Sequence, residues 1–466
     1  MDEQYEQENR PVNPRRKKRS KMQEFKERYL PLIITGVAFF FVLIFIGGSI
    51  SRTVQKKQMD REASIAASEA AEAQKKAWDT EAENILRSAA EKAASYDYEG
   101  AIALIDGFSG KLSDYPELQT RRSEFVSAQS TMVAWNDPSA VTNLSFQLLV
   151  ADPARAFTDA TYADSFQNNF VTIGEFSNIL QQLYDNNYML VSLDDIVTTS
   201  TDAAGQTVYV AKTFYLPSGK KPLMLTQTNV NYNLYMVDGD GDGIADKDGS
   251  GFASRLVVDG SGDIKAEMVD STGTTVMGNY DLVPILEEFI STHTDFALGD
   301  ARAVLAVTGY NGLFGYRTQD ATASNYQTER DGAINIVNAL RAKGYIIACY
   351  TYDNMDYDSA DISNVKADLQ KWKDQVEPIL GSVDVFAFAK ESEFGSYSGE
   401  KFDALMSAGF RYYLGFNFQD TAITIGGSYF RMPRTLVDGY NLVYNGSYFS
   451  DLFDAESAQG YARDIG

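Results

Sequence analysis

Short β-rich runs and amphipathic segments alternate along the chain from about Ser145 onward, and this alternation constrains the fold more than any other feature. The segments GEFSNILQQLY, LVPILEEFIS and GAINIVNALRA have the apolar spacing of helices. Alternation of this kind predicts a mostly parallel sheet, either an open wound sheet or a barrel, with ligands at the C-terminal strand ends. The strand ends LTQTN and ACYTYDN are therefore where chemistry is expected. The predicted strands are FQLLVA, YMLVSL, PLMLTQ, AVLAVTG, YIIACYTY, DVFAFA, RYYLGF and YFRMPR.

A run of 21 residues without a charged side chain, Leu30 to Ile50, precedes this region. At about 1.5 Å rise per residue, a helix of that length spans the roughly 30 Å hydrocarbon core of a bilayer. Nine Lys and Arg residues lie before the run and three follow it closely, which favours a cytoplasmic N-terminus. The sequence therefore predicts a basic cytoplasmic tail at 1–29, a transmembrane helix at 30–51 in the cell membrane, and an extracellular remainder.

Two helical regions are predicted between the membrane span and the alternating region. Residues 61–95 contain 12 alanines and no Gly or Pro, which is a strong helix propensity with a weak apolar stripe. We predict an Ala-rich helical stalk at 52–95. The segment 96–137 is predicted to form a helical hairpin that acts as a spacer.

Charge and rare residues exclude several classes of function. Residues 58–466 hold 29 Lys and Arg against 58 Asp and Glu, and so acidic a body repels nucleic acid. Cys349 is the only cysteine and lies in an apolar run, which indicates a buried strand thiol rather than a nucleophile. His293 is the only histidine, at a predicted helix end, so Ser-His-Asp and Cys-His schemes are not expected.

Several stretches together resemble the polysaccharide deacetylase (NodB homology) family, the family 4 carbohydrate esterases. They include LPSGKKPLMLTQTN, AVTGYNGLFGYRT, LRAKGYIIACYTYDN and KFDALMSAGFRYYLGF, and the resemblance runs from about residue 140 to about 445. It implies an α/β fold, a distorted (β/α) barrel of about seven strands. We place this barrel at 138–466, with an acidic insertion near 236–275.

The resemblance also implies what each catalytic position should hold. Family members use a metal bound by one carboxylate and two imidazoles, together with a carboxylate base. The family's acidic motif falls on TQTNV, which puts Thr228 at the base position and Asn229 at the metal carboxylate. Its histidine motif falls on YTYDN, which puts Tyr350 and Asn354 at the imidazoles, and its aromatic strand end falls on FAKE, residues 388–391. Because none of these side chains is a good zinc ligand, we expect no catalytic Zn²⁺ and no intact catalytic residue.

Aromatic and amide side chains near the predicted strand ends suit a sugar ring, which stacks on aromatic faces and forms hydrogen bonds with amides. We predict a cleft that binds a cell-wall or surface polysaccharide. The alternative is ordinary aromatic packing in a chain with 28 tyrosines. The predicted cleft residues are Asn229, Arg317, Tyr350, Tyr352 and Asn354.

A separate motif, DGDGDGIAD, places carboxylates at alternating positions of a glycine-rich loop. Such a loop wraps around one hard cation, with Gly243 allowing the sharp turn. The pattern predicts a structural Ca²⁺ site, and a solvated acidic turn is the alternative. The predicted ligands are Asp238, Asp240, Asp242 and Asp246.

Together these features predict a membrane-anchored, extracellular, deacetylase-like protein without catalytic activity, which acts as a glycan-binding or scaffold module of the cell envelope. One alternative is an active hydrolase, either a deacetylase with relocated ligands or a glycosidase that uses Glu391, Glu393 and Asp353 as its acids. A second alternative is a platform for envelope protein partners that works through the stalk and the hairpin.

Overall fold

The computed structural model describes Thr35 and residues 52–390, 392–416, 423–461, 463 and 465. The chain divides into two compact units, residues 1–93 with 98–130, and residues 94–97 with 131–466. The predicted cytoplasmic tail and, apart from Thr35, the predicted transmembrane helix lie outside the described residues. Among the helices that are described, none is both long enough and apolar enough to cross a bilayer.

The first unit is built on three helices, α1 (Arg52–Ala94), α2 (Tyr98–Asp106) and α3 (Pro116–Gln129). Most described side chains of α1 before Trp78 are exposed, and alanine-rich composition favours the helix there without packing. The second half of α1 packs against α2 and α3 through small and branched side chains. This core consists of Ala82, Ile85, Ala89, Ala101, Ile105, Phe108, Leu118 and Phe125.

Seven parallel strands form a closed ring in the second unit, which confirms the predicted barrel. Each strand pairs with the next in the chain, and the last returns to the first with Thr435 opposite Leu144. An eighth strand, Tyr188–Leu190, pairs with the start of the second ring strand and lies outside the ring. The ring strands are β1 (Thr142–Phe146), β2 (Lys221–Thr228), β3 (Val304–Val307), β4 (Ile346–Cys349), β5 (Val385–Ala387), β6 (Tyr412–Phe416) and β7 (Phe430–Leu436).

Side chains along the ring strands alternate between two separate apolar cores. On β2, Leu223 and Leu225 belong to the core that includes the outer helices, whereas Met224 belongs to the core inside the ring. The inner face also carries polar residues, since buried Thr226 donates a hydrogen bond to Asn143 Oδ1 at 2.9 Å. The inside of the barrel is therefore partly polar, which is unusual for a core that serves packing alone.

Amphipathic helices cover the outside of the ring. The first of them begins at a capping box in which Thr172 and Glu175 each accept a hydrogen bond from the other's backbone N–H. Its buried residues recur at three- and four-residue spacing, which places one apolar face against the sheet. The covering helices are α4 (Ile173–Asp185), α5 (Leu282–Thr292), α6 (Tyr326–Lys343), α7 (Ile362–Lys371) and α8 (Glu400–Ala408).

The remaining elements are short. Antiparallel strands pair as Val133–Trp135 with Phe214–Leu216, as Val197–Thr201 with Thr207–Ala211, and as the three-stranded sheet Arg255–Val258, Ile264–Val269 and Thr275–Gly278. The α-helical turns are Pro153–Ala156, Ala163–Asn169, Leu193–Ile196, Leu234–Val237, Glu377–Leu380, Gly439–Tyr444 and Ala455–Ala458, and a π-helical turn spans Trp372–Val376. The 3₁₀ turns are Leu112–Asp114, Pro138–Ala140, Thr294–Phe296 and Gly446–Phe449.

Candidate functional site

A cavity of about 160 Å³ opens at the C-terminal ends of the ring strands. All four residues at the family's base and metal positions line it: Thr228, Asn229, Tyr350 and Asn354. The sequence motifs on β2 and β4 are thus brought to one place by the parallel order of the barrel. The other described lining residues are Ser145, Gln147, Lys390, Phe416, Arg434 and Leu436.

Three lining residues have a left-handed backbone, although none of them is glycine. The φ angles are 56° at Asn229, 51° at Asn354 and 55° at Lys390. A left-handed conformation costs a non-glycine residue roughly 1–2 kcal/mol, with asparagine the most tolerant. These residues follow three different strands, β2, β4 and β5, so the strain is concentrated at one strand-end site. Concentrated strain is common at functional sites, where the surrounding structure holds it in place.

Three residues that line the cavity each have a hydrogen-bond acceptor that is left unused. The Oδ1 atoms of Asn229 and Asn354 and the Oγ atom of Ser145 are buried, and none has a hydrogen-bond partner among the residues that the structure describes. Thr228 Oγ1 donates to the carbonyl of Phe146 at 3.3 Å. A buried amide oxygen without a partner costs about 1–3 kcal/mol, so these atoms favour a hydroxyl-bearing ligand or water.

The cavity is also lined by two cationic side chains, which were not predicted from the sequence. Arg434, on β7, is only 1% exposed, and its Nη2 and Nε donate to the carbonyls of Phe388 at 2.7 Å and Gly415 at 3.3 Å. Its guanidinium lies 4.4 Å from the ring centroid of Phe416. Lys390 is exposed at the rim. The signal was present in the strand run YFRMPR, where Arg434 follows the inward-facing Phe430 and Met432 at two-residue spacing and therefore shares their face.

The residues at the strand ends do not fit a catalytic zinc ion. Zinc sites use thiolate, imidazole or carboxylate donors, and the four family positions offer amide and hydroxyl oxygens. Lys390 and Arg434 add two positive charges beside them, which repel a dication. None of the described lining residues is acidic.

Asp368, on α7, holds the loop that carries Tyr350 and Asn354. Its buried carboxylate accepts hydrogen bonds from the backbone N–H of Tyr352 at 2.7 Å and of Asp353 at 2.8 Å. The hydroxyl of Tyr357 donates to it at 2.6 Å. Burial raises the pKa of Asp368, although these hydrogen bonds act in the opposite direction. The hydrogen bonds to the buried Asp368 carboxylate therefore hold the loop after β4 in this conformation.

Two of the five predicted cleft residues are not among the described residues that line the cavity. Arg317 donates to the carbonyls of Tyr232 at 2.7 Å and Asn311 at 2.8 Å, so it fixes the loop after β2. Burial, followed by the charge of Arg255, lowers the pKa of Arg317 to about 10. Tyr352 donates to Gln375 Oε1 at 2.6 Å and lies under the Lys371 ammonium. Both side chains support the fold around the site.

The carboxylates considered for a glycosidase are engaged elsewhere. Glu393 accepts two hydrogen bonds from Arg431, each at 2.8 Å, and further bonds from the Tyr397 hydroxyl and the backbone N–H of Phe416. Burial alone would raise the pKa of Glu393, but the hydrogen bonds from Arg431 and Tyr397 lower it overall. Asp353 pairs with Lys371 at 2.6 Å. Neither carboxylate lines the cavity, and Glu391 lies outside the described residues.

The only cysteine and the only histidine of the sequence pack within the fold. Cys349 ends β4, is fully buried, and has its pKa raised well above the ordinary value by burial. His293 follows the last residue of α5, stacks on Phe289 with ring centroids 4.2 Å apart, and is not among the described lining residues. Neither residue is placed for nucleophilic or metal chemistry at the cavity.

No protein-family model matches the sequence, and no curated protein matches it. Among solved structures, the chain is similar to the deacetylase PplD of Streptococcus pyogenes in complex with acetate, with a TM-score of 0.34 and 14% identity, over 65% of this chain and 96% of that one. It is also similar to the chitin deacetylase of the fungal pathogen Colletotrichum lindemuthianum, with a TM-score of 0.21 and 11% identity, over 38% of this chain and 81% of that one. These similarities concern the fold alone.

The acidic loop gathers three of its four predicted calcium ligands. Carboxylate oxygens of Asp238, Asp240 and Asp246 all lie within 4.8 Å of one another. Asp242 is not in this group, and its Oδ1 accepts a hydrogen bond from the backbone N–H of Ile244 at 2.8 Å. Asp238 also accepts from the backbone N–H groups of two loop glycines, which fold the loop around it.

Proposed function

We propose that this chain is a polysaccharide deacetylase-like protein whose barrel binds a glycan at the strand-end cavity without hydrolysing it. One observation carries the proposal. The side chains at the family's base and metal positions meet at one cavity, and there they are Thr228, Asn229, Tyr350 and Asn354. In this proposal the cavity still accommodates a sugar, but the side chains at the four positions cannot activate water.

Deacetylation of a sugar amide needs a strong nucleophile at neutral pH. The family makes it by lowering the pKa of metal-bound water and removing its proton with a carboxylate. Thr228 stands where the carboxylate would be, and a threonine hydroxyl is not a base at neutral pH. The nearby Lys390 and Arg434 charges oppose a bound dication. These features support binding without hydrolysis.

The same cavity is suited to sugar hydroxyls. The unused oxygens of Asn229 and Asn354 can each accept a hydroxyl hydrogen bond, worth about 0.5–1.5 kcal/mol. Tyr350 lines the same cavity, and sugar rings pack favourably against aromatic side chains. The left-handed backbone at both asparagines directs these amides from separate strands, and retaining such strain is consistent with a binding role.

The proposal includes a place in the cell. We propose that residues 30–51 anchor the chain in the cell membrane and that the barrel faces the envelope polysaccharide outside. The charge asymmetry around the uncharged run supports this orientation. The exposed, alanine-rich first half of α1 would then act as a spacer between membrane and barrel.

The rival functions have less support. For a glycosidase, Glu393 is bound by Arg431 and Asp353 by Lys371, so two of the three candidate acids are engaged in ion pairs. For a protein-interaction platform, the cavity and its strained asparagines have no role. The glycan-binding proposal uses both of these features.

The test is titration of the full-length chain, purified in detergent, with chito-oligosaccharides by calorimetry. The informative variant is Asn229→Gly with Asn354→Gly, which keeps the left-handed backbone and removes both amides. Two hydrogen bonds at about 1 kcal/mol each predict a Kd raised roughly thirtyfold. Asn187→Gly is the matched control, since Asn187 is also left-handed (φ 64°) and does not line the cavity. Equal affinity of all three proteins would contradict the proposal.

A further inference from the structure

We infer that the strand-end cavity recognises a sugar that carries one anionic group, a carboxylate or a phosphate. The inference rests on the proposed function and names the chemical class of its ligand. It starts from the charges at the cavity, where Lys390 and Arg434 are the ionised side chains among the described lining residues.

Arg434 provides the deep end of this anion site. Its side chain is 1% exposed, so a ligand group beside it is shielded from bulk water. Bonds to the carbonyls of Phe388 and Gly415 fix the guanidinium, and the rings of Phe416 and Tyr350 lie 4.4 and 5.9 Å from it. A fixed planar guanidinium in a shielded site binds carboxylates and phosphates with strong, directional hydrogen bonds.

Lys390 provides the second charge at the rim. It is exposed, lies three residues after the end of β5, has a left-handed backbone (φ 55°) and lines the cavity. Glycine or asparagine would adopt this backbone conformation at a lower free-energy cost, so the conformation alone does not explain a lysine at this position. An ammonium group that contacts an anion bound to Arg434 does explain it.

Size and long-range charge limit the ligand to one anionic group. A volume of about 160 Å³ lies below the roughly 300–1,000 Å³ of pockets for drug-sized ligands, so one substituted sugar ring at the end of a glycan fits inside it. Residues 58–466 carry 58 acids against 29 bases, and this acidic body repels a polyanion. A sugar with a single negative charge is repelled only weakly by the acidic body and is attracted by both cations at the cavity.

The polar acceptors complete the match. The unused oxygens of Asn229 and Asn354 need donors, which an anionic group lacks and sugar hydroxyls provide. The cavity therefore offers cations for one substituent and acceptors for the hydroxyls beside it. A simple anion such as acetate satisfies half of the site, and a neutral sugar satisfies the other half.

Glucuronate, glucose 6-phosphate and glucose share one ring and test the inference directly. We expect the full-length chain to bind glucuronate, glucose 6-phosphate or both at least tenfold more tightly than glucose. The two anions separate the carboxylate source from the phosphate source, and preference for either supports the inference. Lys390→Gln should weaken anion binding about three- to tenfold and glucose binding by a smaller factor. The matched control Lys366→Gln, on an exposed position of α7, should change neither.

A second variant tests the buried cation. Arg434→Lys keeps the charge and loses the planar fork, so anion affinity should fall while the melting temperature reports whether the barrel still folds. If chito-oligosaccharides bind but the anionic sugars bind no better than glucose, or Lys390→Gln has no effect, the inference is wrong and the proposed function stands. If no sugar binds at all, both are wrong.

Discussion

Lys390 has a left-handed backbone conformation, which lowers the free energy of unfolding of the protein by an amount that can be measured. Lys390→Gly relieves the left-handed strain at φ 55°, while the more flexible unfolded chain offsets part of the gain. We expect the free energy of unfolding to rise by up to about 1 kcal/mol in urea titrations. The same substitution at Lys366, inside α7, should lower it by about 1 kcal/mol. A destabilised Lys390→Gly variant would show that the backbone there is not strained.

The Glu393–Arg431 pair should give the barrel a distinct acid sensitivity. The folded-state pKa of Glu393 lies below its ordinary value of 4.5, so between these two values the folded protein binds fewer protons than the unfolded chain. The stabilising contribution is therefore complete above pH about 4.5 and is lost as the pH falls through the folded-state pKa.

Removing this carboxylate should consequently matter most at neutral pH. Glu393→Gln removes the ion pair that Glu393 forms with the nearly buried Arg431, which we expect to cost about 3–5 kcal/mol at pH 7. Urea unfolding at pH 7, 5, 4 and 3 should show the difference from wild type shrinking below pH 4.5. The double variant with Arg431→Met should recover part of the loss. A difference that stays constant with pH would exclude this assignment of the pKa.

At the scale of elements, the apolar strands could be predicted from the sequence, whereas β1, whose inward face is polar, could not. The runs PLMLTQ, AVLAVTG and RYYLGF coincide with β2, β3 and β6, because both faces of these strands are buried. The first strand was predicted at FQLLVA but lies at Thr142–Phe146. Its inward residues, Asn143 and Ser145, are polar and face the inside of the barrel, so the apolar signal that marks a buried strand is missing.

The candidate site was only partly predictable for a related reason. The apolar runs before Asn229, Tyr350 and Asn354 placed them at or after strand ends, the family resemblance singled them out, and parallel strands bring such ends together. Arg317 binds carbonyls of the loops after β2 and β3 and does not line the cavity, a difference in side-chain direction that sequence spacing does not contain. Arg434 shares the face of Phe430 and Met432, which the sequence pattern indicates, but its place at the cavity follows from the pairing of β7 with β6 and β1.

The acidic loop gives an element-scale prediction. We propose that it binds Ca²⁺ through Asp238, Asp240 and Asp246, whose carboxylate oxygens lie within 4.8 Å of one another. An ion bound only to the native state raises the melting temperature, so millimolar Ca²⁺ should stabilise the protein and chelation should reverse the effect. Asp240→Asn should abolish the response and Asp242→Asn should retain most of it. An unchanged melting temperature in wild type would leave the loop as a solvated acidic turn.

At the scale of the whole molecule, orientation in the membrane is the first prediction. The positive charges before residue 30 favour a cytoplasmic N-terminus and an exposed barrel. Protease added to intact cells should degrade the chain beyond residue 60 and leave an N-terminal tag protected. Permeabilised cells, in which the tag is also degraded, provide the control. A protected C-terminus in intact cells would contradict the proposed topology.

The central claim is that this barrel binds without hydrolysing, and acetate release tests it most directly. The full-length chain is incubated with N-acetylglucosamine polymers, with and without added zinc, and acetate is quantified. A variant with Thr228→Asp, Asn229→Asp, Tyr350→His and Asn354→His recreates three metal ligands and a base, and zinc binding by this variant tests the assignment of positions. We predict no acetate above background from the natural sequence. Acetate released by that protein, and stopped by a chelator, would contradict the account.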